Sequence, residues 1–434
     1  MALPPFAAET LALEARALLT RAARLQPFAL VMPMVGAARV SDAAALAVEH
    51  YLIHHQRQLR RRIRDYLRWL RTPGGRAASP VEAQRRFAFL KLRFNAAITQ
   101  FDIFADALSV RGEVGNGVWL GGLDVAAEDA LQLEARVFEM PPVITYLDRG
   151  HGAAIRRART RLPGGGENPA AVIRIPRERM VGSGIASSLV HEVGHQGAAL
   201  LDLVPSLRRE LRARQRWSRG LESAAWQMWD RWISEIIADF WAMAKLGIAA
   251  TQGLLNVVSL PRAFVFRIAP DDPHPFPWIR AKLSIASGAF LYPDPQWTLV
   301  DRLWESFYPP TGLDPQRQAL IESLEATMLP LVRLIAGHRT RLLGAQPLIR
   351  AFDVAGRRPQ QLRRIFRDTR GSIPALQSLA PTLAFAVLGQ AKQDRQLTPE
   401  NESRIVAELL TRWGLRRAIG DARTAHSQPK AAAA

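Results

Sequence analysis

Cysteine is absent from all 434 residues, and this removes most ways of holding a chain together other than a packed core. No disulfide, thiolate zinc cluster, iron–sulfur centre or cysteine nucleophile is possible. Any bound metal must be held by His and carboxylates. The core must come from apolar side chains. At this length, 48% hydrophobic residues suffice for two or three packed units. The same numbers exclude an intrinsically disordered chain.

The periodicities are mainly helical. From 41 to 72, Leu59, Ile63, Tyr66, Leu67 and Leu70 recur at helical spacing with arginines between them, until Thr72-Pro73-Gly74-Gly75 stops the pattern. A second pattern over 80–108 completes an antiparallel hairpin. A glycine-rich loop is expected over 115–122 and a short helix over 126–137. Segments 143–147 and 171–175 read as strands, with a short basic helix over 152–162 between them. Beyond 183 the expected helices are 183–203, 206–217, 222–246, 249–258, 277–290, 295–308, 315–337, 346–354, 359–368 and 398–418. The fold class is therefore α+β and predominantly helical. A small sheet sits in a core over 139–309, between helical regions 1–138 and 310–420, and 421–434 forms a disordered tail.

The helix from 183 contains His191-Glu192-Val193-Gly194-His195. Two His four apart lie on one helical face, so both imidazoles can reach one metal ion. Glu192 projects beside them, where a base could take a proton from a metal-activated water. A catalytic zinc takes three protein ligands and keeps one open position. Glu235 and Asp239, also four apart, stand in the apolar run Trp232–Trp241. Carboxylates there are costly unless paired or bound to a metal. One can ligate, while the other accepts the free ring N–H of a ligand His. Downstream, Asp272-Pro273-His274-Pro275 leads through Pro277, at a helix start, to Arg280. A His and an Arg at such a junction could face a cleft and stabilise an oxyanion.

Together these residues resemble the gluzincin zinc metallopeptidases, and within them the CAAX prenyl protease/HtpX group. That group combines His-Glu-x-x-His, a later Glu with Asp four residues on, and a His-Pro pair with Arg six after the His. The resemblance spans about 140–290. It implies one Zn2+ per chain on His191, His195 and Glu235, with Glu192 as general base and Asp239 behind a ligand. His274 and Arg280 would serve the transition state, and the strand 171–175 would lie where an extended substrate can pair with it. The implied protein is a zinc metalloendopeptidase acting on a peptide or protein. The alternative is a non-catalytic basic helical scaffold with a structural or vestigial zinc site.

The formal charge is +19, which favours weak association with anionic surfaces without identifying one; nucleic acid is not the expected partner. No basic region precedes an apolar stretch at the start of the chain, and no window reaches the ~18 charge-free apolar residues of a membrane span. The expected location is cytoplasmic. His50, His54 and His55 include a second pair at four-residue spacing, but the only carboxylate nearby is Glu49. A helix-surface or packing role is expected for them.

Overall fold

Two serines start the helical hairpin of the arginine-rich region. Ser41 Oγ accepts from the Ala44 N–H and Ser79 Oγ from the Glu82 N–H, satisfying first-turn amides that no helical carbonyl can reach. The computed structural model describes residues 2–427 apart from 114, 136, 151, 178–181 and 270. It divides into two compact units: Met1–Gly117 with Pro141–Tyr146 and Arg156–Val172, and Val118–Met140 with Leu147–Ile155 and Ile173–Ala434.

In the first unit, α1 (Pro5–Arg24) packs on both α2 (Asp42–Trp69) and α4 (Pro80–Ser109), and the short α3 (Pro73–Ala77) turns the chain between them. Leu18, Leu59, Ile63 and Phe87 form one cluster of its core; Val48, Leu52, Phe101 and Phe104 form another, together with Ile144 and Val172. The second unit takes α5 (Asn116–Leu131) from Val118 onward. Three strands, β1 (Val143–Asp148), β2 (Ala154–Arg156) and β3 (Ala171–Pro176), make one sheet in the order β1-β3-β2. Then come α6 (Ser183–Leu200), α7 (Leu203–Trp217), α8 (Gly220–Leu246), α9 (Ile248–Val258), α10 (Arg262–Val265) and α11 (Pro277–Leu291). The chain continues through α12 (Gln296–Phe307), α13 (Pro315–Gly337), α14 (Pro359–Thr369), α15 (Ile373–Gln377), α16 (Pro381–Gln393) and α17 (Pro399–Ser427). The fold is α+β and predominantly helical. Among the described residues, no helix is long and apolar enough to cross a membrane.

Helix α8 is the axis of the second unit. Its Trp229, Trp232 and Trp241 are fully buried. Trp229 Nε1 donates to Thr327 Oγ1 at 2.9 Å, tying α8 to α13, and Trp241 Nε1 donates to the Ala130 carbonyl at 2.9 Å, tying it to α5. Buried indole N–H groups need such acceptors.

Several sequence expectations are corrected. Segment 115–122 is not a loop: α5 begins at Asn116, and its Leu120, Leu123, Ala126 and Ala127 are completely buried. From Val118 onward α5 belongs to the second unit. Segment 152–162 is no helix. Ile155, Ala158 and Leu162 mimic helical spacing, but 154–156 form β2, and Arg159 takes a left-handed φ of 62°. The turn is held from inside by buried Asn168, whose Nδ2 donates to the carbonyls of Arg156 and Arg157. Strand β3, expected to be open to an extended substrate, is central: β1 lies on one side and the three-residue β2 on the other. Only a 3-10 turn, Leu348–Ala351, forms within 346–354. Helix α17 runs through Ser427, beyond the expected start of the tail at 421; residues 428–434 lie outside the described ones.

Candidate metal centre

Two glycines let α6 and α8 approach closely enough to build the site. A Cβ on Gly194 would stand 2.9 Å from Ala238 Cα, and one on Gly197 would stand 2.3 Å from the Trp241 ring. Real side chains do not come so close, so α8 can lie there only against bare backbone. His191 and His195 on α6 are thereby set against Glu235 and Asp239, which flank Ala238 on α8. We expect Gly194→Ala to push the helices apart at a cost of ~1–3 kcal/mol. Melting temperature and zinc affinity should fall together in that variant, as read by calorimetry and metal titration.

The imidazoles converge on one oxygen. Glu235 Oε2 lies 3.2 Å from His191 Nε2 and 3.4 Å from His195 Nε2. Ligands ~2.0–2.1 Å from a tetrahedral zinc stand roughly 3.3 Å apart, so both separations match edges of that polyhedron. The ligand atoms of His191, His195 and Glu235 all lie within 4.8 Å of one another. This donor set, two imidazoles and a carboxylate without thiolate, fits a catalytic zinc. Glu235 and Asp239 have side-chain exposures of only 12% and 17%, so neither is a solvated acid on the helix rim.

Behind the ligands, His191 Nδ1–H donates to Asp239 Oδ1 at 2.7 Å, leaving Nε2 as the metal-facing nitrogen. Arg280, read from the sequence as an oxyanion donor, lines the cleft but gives two of its N–H groups to Asp239. Its Nε donates to Asp239 Oδ2 at 2.7 Å and its Nη2 to Asp239 Oδ1 at 2.9 Å. This two-point grip commits the guanidinium to Asp239, so Arg280 is a positioning residue acting on His191 through the carboxylate. Burial pushes the Asp239 carboxyl up, but the Arg280 charge and His191 outweigh it and hold Asp239 well below the usual carboxylate range. Glu235 is held low in the same sense: burial opposes ionisation, and hydrogen bonds from His191, His195 and His274 prevail.

His274 also reaches the centre. Its Nε2 lies 3.2 Å from Glu235 Oε2, while Asp272 Oδ1 accepts from both its Nδ1 (2.8 Å) and its backbone N–H (2.9 Å). At 43% exposure it stands at the rim, unlike the buried ligands. With Nδ1 donating to Asp272, Nε2 can donate only when the ring is an imidazolium. The bond to Glu235 raises the His274 pKa, burial opposing it, with Asp272 adding to the rise. Glu192 is 7% exposed, and burial raises its carboxyl pKa, as a general base requires. A cleft of about 220 Å³ is lined by His191, Glu192, His274 and Arg280, and has Leu254 and Val257 on its apolar wall.

Two residues escape sequence reasoning. Asp272 orients His274, and Ser234 Oγ faces His195 Nδ1 at 3.5 Å. The only available signal was adjacency: Asp272 is two residues from His274 and Ser234 precedes Glu235. His55 lies apart in the first unit, its ring 4.1 Å from that of Tyr51, and is in no group of three ligands among the described residues.

Burial lowers the His191 pKa, but the charge and hydrogen bond of Asp239 and the bond to Glu235 raise it to about 9. Metal-free His191 is therefore protonated at pH 7.5 and must lose a proton to ligate. Zinc uptake at pH 7.5 should release at least one proton, read as a dependence of binding heat on buffer ionisation enthalpy. Apparent affinity should weaken as pH falls below about 9.

No family model matches this chain, and no curated protein or solved structure matches it either.

Proposed function

We propose that the protein is a zinc-dependent metallopeptidase of gluzincin type, acting in the cytoplasm on a peptide or protein substrate. The observation that carries this reading is the convergence of His191 Nε2 and His195 Nε2 on Glu235 Oε2, with Glu192 in the adjoining cleft. His191, His195 and Glu235 would hold the ion. When bound, zinc supplies Lewis acidity, polarising the scissile carbonyl and making water acidic enough to give up a proton near neutral pH.

The protein's own residues do the rest. Glu192 takes the proton from the attacking water and returns it to the leaving amine. In its imidazolium form, aligned by Asp272, His274 donates from Nε2 to the oxygen on which negative charge develops. Asp239, gripped by Arg280, keeps His191 in the tautomer that presents Nε2. Elemental analysis tests the metal: about one zinc per chain is expected, with most of it lost in His191→Ala and Glu235→Ala but not in His54→Ala. Absence of zinc from carefully prepared protein, and none taken up on titration, would overturn the reading.

One observation favours the scaffold alternative. His274 Nε2 is as close to Glu235 Oε2 as His191 Nε2 is, both at 3.2 Å. As a fourth ligand it would close the site, and closed sites are structural, although His274 is not in the group whose ligand atoms all lie within 4.8 Å of one another. The His274 variant discussed below separates the two.

A further inference from the structure

Between α2 and α4 of the first unit lies a small pocket, about 310 Å³ including its open mouth, lined by His55, Arg62, Arg93, Gln100 and Gly164 among others. We infer that it binds a phosphate group that still carries a proton, held between the Arg62 and Arg93 guanidiniums.

The first ground is unbalanced charge. Segment 57–93 holds twelve Lys or Arg and only two acids, Asp65 and Glu82. Asp65 pairs with Arg68, and Glu82 takes Arg85 and Arg86. Among the described residues, no carboxylate pairs with Arg62 or Arg93. Burial and the neighbouring Arg93 charge both push the Arg62 pKa down. Two like charges facing one pocket destabilise the empty state and favour a bound anion.

The second ground is an unsatisfied buried acceptor. Gln100 is 2% exposed; its Nε2 donates to the carbonyls of Pro163 and Gly165, and its Oε1 has no partner. Such an atom calls for a donor. Carboxylate and sulfate carry none at neutral pH, whereas a monoprotonated phosphate offers one O–H together with oxygens for two guanidiniums. The loop that Gln100 holds is shaped to the pocket. Gly164, Gly165 and Gly166 have φ of 81°, 95° and 98°, and a Cβ on Gly166 would stand 2.7 Å from His55 Nε2.

The test uses the full chain, with inorganic phosphate and sulfate at matched ionic strength in calorimetric titrations and melting curves. A parallel arm uses vesicles bearing phosphatidic acid or, at equal charge, phosphatidylserine, to distinguish a lipid headgroup from free phosphate. We expect phosphate, or phosphatidic acid alone, to bind at least ~10-fold more tightly than its control. Arg62→Gln and Arg93→Gln should each weaken that binding at least ~10-fold, because each removes one charge-assisted pair. In phosphate-free buffer both variants should melt no lower than the parent, since each relieves repulsion. The inference fails if sulfate matches phosphate and phosphatidylserine matches phosphatidic acid, or if binding survives both substitutions. It also fails if both variants melt lower in phosphate-free buffer, which would make the arginines structural.

Discussion

Glu192→Gln should keep its zinc and its fold while peptide hydrolysis falls at least ~10²-fold, the lower range for a positioned general base. The substitution is nearly isosteric and spares the three ligands. It removes only the carboxylate that takes the proton. Glu192 is buried in the cleft wall and its pKa is raised by that burial, so its ionisation should be visible in the acid limb of the rate. In the variant that limb should lose its Glu192 component. Metal analysis and a pH–rate profile on the same preparations check both halves. Equal rates for parent and variant would remove Glu192 from the mechanism.

His274→Ala should lower kcat more than it raises KM, by ~2–4 kcal/mol in transition-state terms, with zinc still bound. The ring touches Glu235 through Nε2 and is aligned by Asp272 through Nδ1. An oxyanion donor gains most when charge develops, which is why kcat should bear the loss. Asp272→Asn should reproduce part of the effect, because an amide oxygen aligns the ring but supports the imidazolium less. If His274→Ala instead empties the site, His274 is a fourth ligand and the structural reading gains.

What was legible in the sequence was mostly local. His191 and His195, like Glu235 and Asp239, are one helical turn apart, and helix geometry alone puts each pair on one face. The long helices were legible for the same reason, since a face of apolar side chains must be buried. What failed depended on partners distant in the chain. Arg280 could be placed near the site, but its grip on Asp239 rests on the packing of α11 against α8. The spacing of Ile155, Ala158 and Leu162 fits a helix and a turn-flanked strand equally well, and pairing with β3 decided between them. The glycines of 115–122 suggested a loop because propensity is a weak prior; complete burial of one face of α5 overrode it. The close helix approach behind Gly194 could not be read without knowing that α8 lies against α6.

The central claim is that this His/His/Glu centre hydrolyses peptide bonds. The most direct measurement is cleavage of a broad peptide library by the full chain, before chelation, after chelation, and after zinc is restored at one equivalent. The account predicts cleavage that disappears with the chelator, returns with zinc, and is absent from Glu235→Ala under all three conditions. No cleavage from protein shown to carry one zinc per chain would contradict it, as would cleavage indifferent to the chelator.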